Sequence, residues 1–142
     1  MGDPRQDVVV VGGGPAGSAA AYWLALAGHS VTVLEKKAFP RDKTCGDGLT
    51  PRAVHQLAEM GLEPAIAAEH HRHDGLRAIA HGVTLEMDWP DHPIYPNYGY
   101  VVRRSDLDQM VADNAAAAGA TLRTSTEALR PLLRDGMVTR VE

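Results

Sequence analysis

The run Val8-Val9-Val10-Val11, closed by Gly12-Gly13-Gly14-Pro15-Ala16-Gly17, admits few folds. Four β-branched residues bounded by glycines read as a strand of a parallel sheet, buried on both faces. The Ala-rich stretch from Ser18 to Ala27 follows, with Pro15 suited to a first helical turn and Gly28 as a stop. Val31-Thr32-Val33-Leu34 is a second buried strand, ending in Glu35. Strand, glycine turn, helix and strand make a βαβ unit with a right-handed crossover. The fold class is α/β.

Within that unit, Gly12-x-Gly14-x-x-Gly17 has the spacing a dinucleotide needs. Gly12 makes the tight turn, Gly14 lets backbone approach a pyrophosphate, and Gly17 lets helix and strand pack closely. Pro15 and Ala16 complete the loop, whose helix N-terminus favours the phosphate charge. Glu35, 18 residues beyond Gly17, is placed to accept hydrogen bonds from the adenosine ribose. It would repel a 2′-phosphate, which disfavours NADP despite Lys36 and Lys37 beside it; those lysines read as a solvated strand end. FAD and NAD share the ADP half, so these residues leave both open.

The remaining pattern is a loop over Lys36–Thr50, then a helix capped by Thr50-Pro51 and stopped at Gly61. Leu76–Ala80 and Val83–Trp89, joined at His81-Gly82, form a small hairpin insertion. Pro90, Pro93 and Pro96 mark an irregular connection. Ser105 caps a helix to Ala118, with Leu107, Met110, Val111 and Asn114 on its apolar stripe and Gly119 at its end. Short strands follow near Thr121–Thr124 and Val138–Val141. The histidine cluster Glu69-His70-His71-Arg72-His73-Asp74 lacks the second converging element of a metal site, so it reads as a solvated loop and no metal is expected.

Composition narrows the function classes. Among 142 residues, 14 Lys and Arg stand against 18 Asp and Glu, a net charge of -4 that gives no reason to bind nucleic acid. No apolar run approaches the ~20 residues of a bilayer span, and Met1–Asp7 lacks the basic region of a signal peptide. The expected address is the cytoplasm, where the single cysteine, Cys45, is a reduced thiol.

A more specific signal is the string Phe39-Pro40-Arg41-Asp42-Lys43-Thr44-Cys45-Gly46-Asp47-Gly48-Leu49-Thr50-Pro51-Arg52. With the glycine loop, it resembles the geranylgeranyl reductase family of FAD-dependent oxidoreductases, within the wider p-hydroxybenzoate hydroxylase fold group. The likeness extends through Met87-Asp88-Trp89-Pro90 and Tyr98-Gly99 to Arg104 and Leu107-Asp108, and leans toward the actinobacterial branch that saturates a menaquinone isoprene unit.

The resemblance implies a Rossmann-like FAD-binding domain over residues 1–142. That would be the amino-terminal part of a longer protein whose substrate domain lies elsewhere. It implies FAD, recharged by NAD(P)H or another low-potential donor, and reduction of isoprenoid double bonds. It also implies an isoprenoid lipid substrate met at the inner membrane face. By motif, Gly12 to Gly17 cradle the pyrophosphate, Cys45, Gly46, Asp47 and Gly48 line the flavin, and Arg104 reaches the cofactor. Cys45 is the candidate catalytic residue, because saturating an alkene by hydride leaves one carbon needing a proton that a thiol can supply. Its other reading is a small apolar side chain that packs. For Asp47 the alternative is a turn residue bonding local N–H groups, and for Arg104 an ion pair with Asp106 or Asp108. Arg41 is open between cofactor contact and solvation. The rival functions are a flavin monooxygenase or halogenase on the same fold, and a non-catalytic dinucleotide-binding fragment.

Overall fold

The computed structural model describes residues 5–142. Met1 to Pro4, most of the segment read for a leader, lie outside them. The chain divides into two compact units, one of residues up to Lys43 together with Ser105–Glu142, the other of Thr44–Arg104.

The first unit is built on the expected βαβ. Strands β1 (Val8–Val11) and β2 (Val31–Leu34) run parallel in register, Val8 opposite Val31 and Val11 opposite Leu34. Helix α1 (Pro15–Leu26) connects them, with Gly14 at its N-cap and Pro15 at N1. A third parallel strand, Thr121–Arg123, lies on the far side of β2, so β2 is central and β1 is an edge. That order explains why only β2 matches the expectation of burial on both faces: Val31, Thr32 and Val33 are all buried. In β1, Val8 and Val10 pack toward α1, while Val9 and Val11 point away and stay 39% and 62% exposed. Helix cover reaches one face of this edge strand only.

The core joins Ala21 of α1 to Val31, Val33, Ala115 and Ala120, all nearly inaccessible. Ala115 comes from a helix over Arg104–Ala117 whose buried residues are Leu107, Asp108, Val111, Ala112 and Ala115. The expected stripe is rotated. Leu107 and Val111 hold their places, but Met110 and Asn114 are only half-buried, because alanines and a buried acid turn inward instead. The helices end alike. Gly28 (φ 89°) and Gly119 (φ 110°) each take the left-handed turn that bonds the last carbonyls, such as Gly28 N–H to Ala25 and His29 N–H to Leu24. Beyond the parallel sheet, Pro131–Arg134 and Met137–Val141 pair as a hairpin; the first of these strands was not expected.

The second unit centres on a small antiparallel sheet. Gly99–Val101 is its middle strand, flanked by Gly48–Leu49 and His71–His73. A helix over Pro51–Glu59 covers it with Val54 and Leu57; Thr50 sits at the N-cap as read, though its side chain makes no capping bond. A short helix over Glu63–Glu69, missed in the sequence, adds buried Ile66. It has seven residues and a proline in its first turn, too few for a readable period. The histidine cluster is a strand rather than a loop, with His71 opposite Val101 and His73 opposite Gly99. The hairpin is as expected: Gly75–Ala80 pairs with Val83–Asp88 around His81 (φ 49°) and Gly82 (φ 79°). Two successive positive φ angles make the turn that matches strand twist.

Candidate functional site

In the first unit the glycine turn is a product of sterics. Gly12 has φ 99°, accessible to glycine at little cost, and its N–H donates to Leu34 O at 2.8 Å. Gly17 faces the turn so closely that a Cβ there would lie 2.0 Å from Gly12 O and 3.2 Å from Val10 Cγ1. The loop is pinned from inside by Ser18, 1% exposed, whose hydroxyl donates to Gly13 O at 3.0 Å. Helix α1 begins at Pro15, so its first N–H groups have no intrahelical acceptor and lie at the positive end of the helix dipole.

Glu35 lies at the end of β2 and is 5% exposed. Gly13 N–H donates to its Oε2 at 2.9 Å and Lys37 N–H to its Oε1 at 3.0 Å. The carboxylate thus ties the glycine turn to the end of the neighbouring strand. Burial pushes its pKa up. The Lys37 and Gly13 N–H donors, with the Arg41 and Lys36 charges, outweigh that and hold it below the ordinary 4.5.

Arg41, left open in the sequence, is not solvated. Its side chain is 11% exposed, with Nε 3.6 Å from Glu35 Oε2 and Nη2 3.1 Å from Asp108 Oδ2. Asp108 is fully buried on the Arg104–Ala117 helix. An arginine between two acids 73 positions apart in sequence gives no periodic signal, which is why Arg41 was open in the sequence and Asp108 was not read as part of the site. Lys36, by contrast, is the solvated residue expected, 4.0 Å from the exposed Glu127. A cleft of about 590 Å³ opens at this end of the sheet, lined by Val11, Gly12, Glu35, Arg41 and Lys43 among others.

The second unit carries the Cys45–Gly48 segment and Arg104. Cys45 is a free, exposed thiol and is not packed into the core of its unit. Gly46 and Gly48 are open: a Cβ on either meets nothing within 4 Å, and neither has a positive φ. Asp47 is bonded far from its own turn. Its carbonyl accepts from Val102 N–H at 2.8 Å and its Oδ1 from Arg104 N–H at 3.0 Å. Arg104 is the first residue of its helix, so Asp47 serves as the cap and Ser105, the expected one, instead donates to Asp106 Oδ1. Asp108 pairs with Arg41. An apolar cleft of about 250 Å³ in this unit is lined by Pro51, Arg52, Trp89, His92, Tyr95 and Pro96, among others.

Among the described residues, no group of three or more His, Cys, Asp or Glu could hold a metal ion. No helix among them is long and apolar enough to cross a membrane. Residues of the histidine cluster are used locally: Arg72 Nη2 pairs with Asp74 at 3.0 Å and its guanidinium lies over the Tyr98 ring at 4.0 Å.

A glycine turn on a helix N-terminus, with a buried acid ending the next strand, defines a dinucleotide site. The match to the FAD binding domain model covers residues 5–140, and the chain belongs to that family. It is 50% identical over 127 residues to menaquinone reductase of Mycobacterium tuberculosis, covering 89% of this chain and 31% of the relative. It is 39% identical over 140 residues to digeranylgeranylglycerophospholipid reductase 1 of Methanopyrus kandleri, covering 96% and 34%. Among solved structures, it matches the FAD-dependent chondrochloren halogenase of a myxobacterium at TM-score 0.86 and 30% identity, covering 96% of this chain and 32% of that one. The chain therefore spans about a third of the length of the curated relatives it matches.

The residues present fit FAD. The Gly12–Gly14 turn leads onto the α1 N-terminus, with open space beside Gly12, Glu35 offers a buried ionised acceptor, and the buried Arg41 Nε finds no hydrogen-bond acceptor of its own.

Proposed function

We propose that this chain is the amino-terminal, FAD-binding part of a longer reductase that saturates carbon–carbon double bonds of an isoprenoid lipid. The observation that carries the reading is the 50% identity, over most of the chain, to a menaquinone reductase. The digeranylgeranylglycerophospholipid reductases also act on a prenylated substrate, as their name states. The halogenase is similar in backbone, at TM-score 0.86, but shares 30% identity against 50% for the menaquinone reductase, which favours a shared scaffold over a shared reaction. Bound FAD would supply hydride chemistry, and this chain's residues would bind and orient it. Gly12, Gly14, Pro15, Ala16 and Gly17 hold the pyrophosphate against the α1 N-terminus, and Glu35 takes the ribose. Cys45, Gly46, Asp47, Gly48 and Arg104 hold the flavin end, with the exposed Cys45 as the proton donor. NAD(P)H or another low-potential donor recharges the cofactor. The prenyl substrate is met at a membrane surface.

The complete protein, reduced anaerobically and given a prenylated quinone, is expected to yield product with two added hydrogens by mass spectrometry. Oxygen consumption with hydroxylated or halogenated product would transfer the chain to the rival chemistry.

The open glycines supply a second expectation. Gly46→Ala fits the fold without contact or strain, so the chain should melt unchanged or gain up to about 1 kcal/mol from a stiffer unfolded state. In the complete protein the same methyl should weaken flavin retention, read by flavin absorbance after gel filtration. A variant that keeps its flavin shows that the ring does not approach position 46.

A further inference from the structure

We infer that Arg41, anchored by Asp108, is a positioning residue that fixes the Glu35 carboxylate and thereby sets affinity for the adenosine half of FAD. The inference rests on the reading of Glu35 as the ribose ligand. Glu35 lies at the rim of the 590 Å³ cleft and is the acid that would face a ribose there. Its backbone donors, Gly13 N–H and Lys37 N–H, each meet one carboxylate oxygen, and a further contact that fixes the carboxylate before a ligand arrives lowers the ordering cost of binding.

Arg41 supplies the rigid side. Its planar fork spans from Glu35 Oε2 (3.6 Å from Nε) to Asp108 Oδ2 (3.1 Å from Nη2), and Asp108 is fully buried in the Ala-rich face of its helix. The Arg41 guanidinium also lies 5.7 Å from the centre of the Phe39 ring, so one more wall of its slot is fixed. A helix in the core thus dictates, through one arginine, where a carboxylate at the cleft rim sits. The buried Arg41 Nε–H has no acceptor at hydrogen-bond distance, while Glu35 Oε2 stands a few tenths of an ångström too far. A buried donor left unpaired is unfavourable, so the site is completed when the carboxylate is drawn onto it.

The test is titration of the flavin-free complete protein with FAD and with FMN, which lacks the adenosine half. Arg41→Gln and Asp108→Asn are each expected to weaken FAD about tenfold and leave FMN unchanged, and Arg41→Gln should add nothing to Glu35→Ala. Equal losses for FAD and FMN, or a lowered apo melting temperature with unchanged FAD affinity, would reduce Arg41 to a packing role and overturn the inference. Additive losses in the double variant would make Arg41 a direct cofactor ligand and overturn it too. If Glu35→Ala itself leaves FAD affinity untouched, the ribose reading fails and this inference with it. If Glu35→Ala weakens FAD but Arg41→Gln does not, only the inference fails.

Discussion

Alanine at Gly17 will destabilise the first unit by about 3 kcal/mol, the upper end of what overpacking usually costs. The added Cβ would stand 2.0 Å from Gly12 O, inside any contact a real side chain tolerates, and a tight 3.2 Å from Gly12 C. Gly12 cannot yield readily, since its φ of 99° and its N–H bond to Leu34 O fix the turn to both strands. The helix must therefore lift from β1, and Ala21 with it, opening the core against Val31 and Val33. That is a large share of the ~5–15 kcal/mol a domain possesses. Denaturant melts of Gly17→Ala beside Gly46→Ala check it: one glycine is demanded by its neighbours, the other is not. An unchanged midpoint for Gly17→Ala would mean that helix and strand are not packed as described.

Removing the Glu35 carboxylate will cost about as much for an electrostatic reason. Glu35→Ala leaves the Gly13 and Lys37 N–H groups without their acceptor and takes one of two acids from Arg41. The expected loss is about 3 kcal/mol, the lower edge for breaking a buried pair, because Arg41 keeps Asp108. Acid should reproduce part of the effect. The folded pKa is held below the ordinary 4.5, so the carboxylate's contribution is fully present above that value and is lost as pH falls through the folded one. The stability gap between wild type and Glu35→Gln should accordingly narrow between pH 7 and pH 3. A constant gap across that range would show that the ionised form is not what the fold selects.

Much of the first unit could be read from its residues because local physics and tertiary packing agree there. Val8–Val11, the glycine turn and the helix stops at Gly28 and Gly119 each follow from conformational preferences of a few neighbouring residues, as does the His81-Gly82 turn of the second unit. Gly12 and Gly17 carry the turn and close-packing geometry expected of them. What escaped reading was set at long range. The exposed face of β1 depends on which strand lies outside it, and the Glu63–Glu69 helix takes its shape from burial of one residue, Ile66. Arg41 and Asp108 could be seen as letters of a family string but not as a pair, since a buried ion pair leaves no period. Asp47 was open between lining the flavin and bonding its own turn, and its bond to a backbone group 57 positions away had no local signal.

That last contact has an evolutionary consequence. The Cys45–Gly48 segment is held by backbone groups of Asp47, Val102 and Arg104 and by one carboxylate, none of which involves the side chains at 45, 46 or 48. The loop's location and the loop's chemistry are therefore encoded by different letters. Mutation at 45, 46 or 48 can try new reactivity without moving the platform, whereas mutation at 47 also disturbs the bonds that hold it. On the proposed flavin-side role of this loop, a scaffold organised this way would exchange one flavin reaction for another by few substitutions, and its likeness to both reductases and a halogenase is the pattern such modularity would leave.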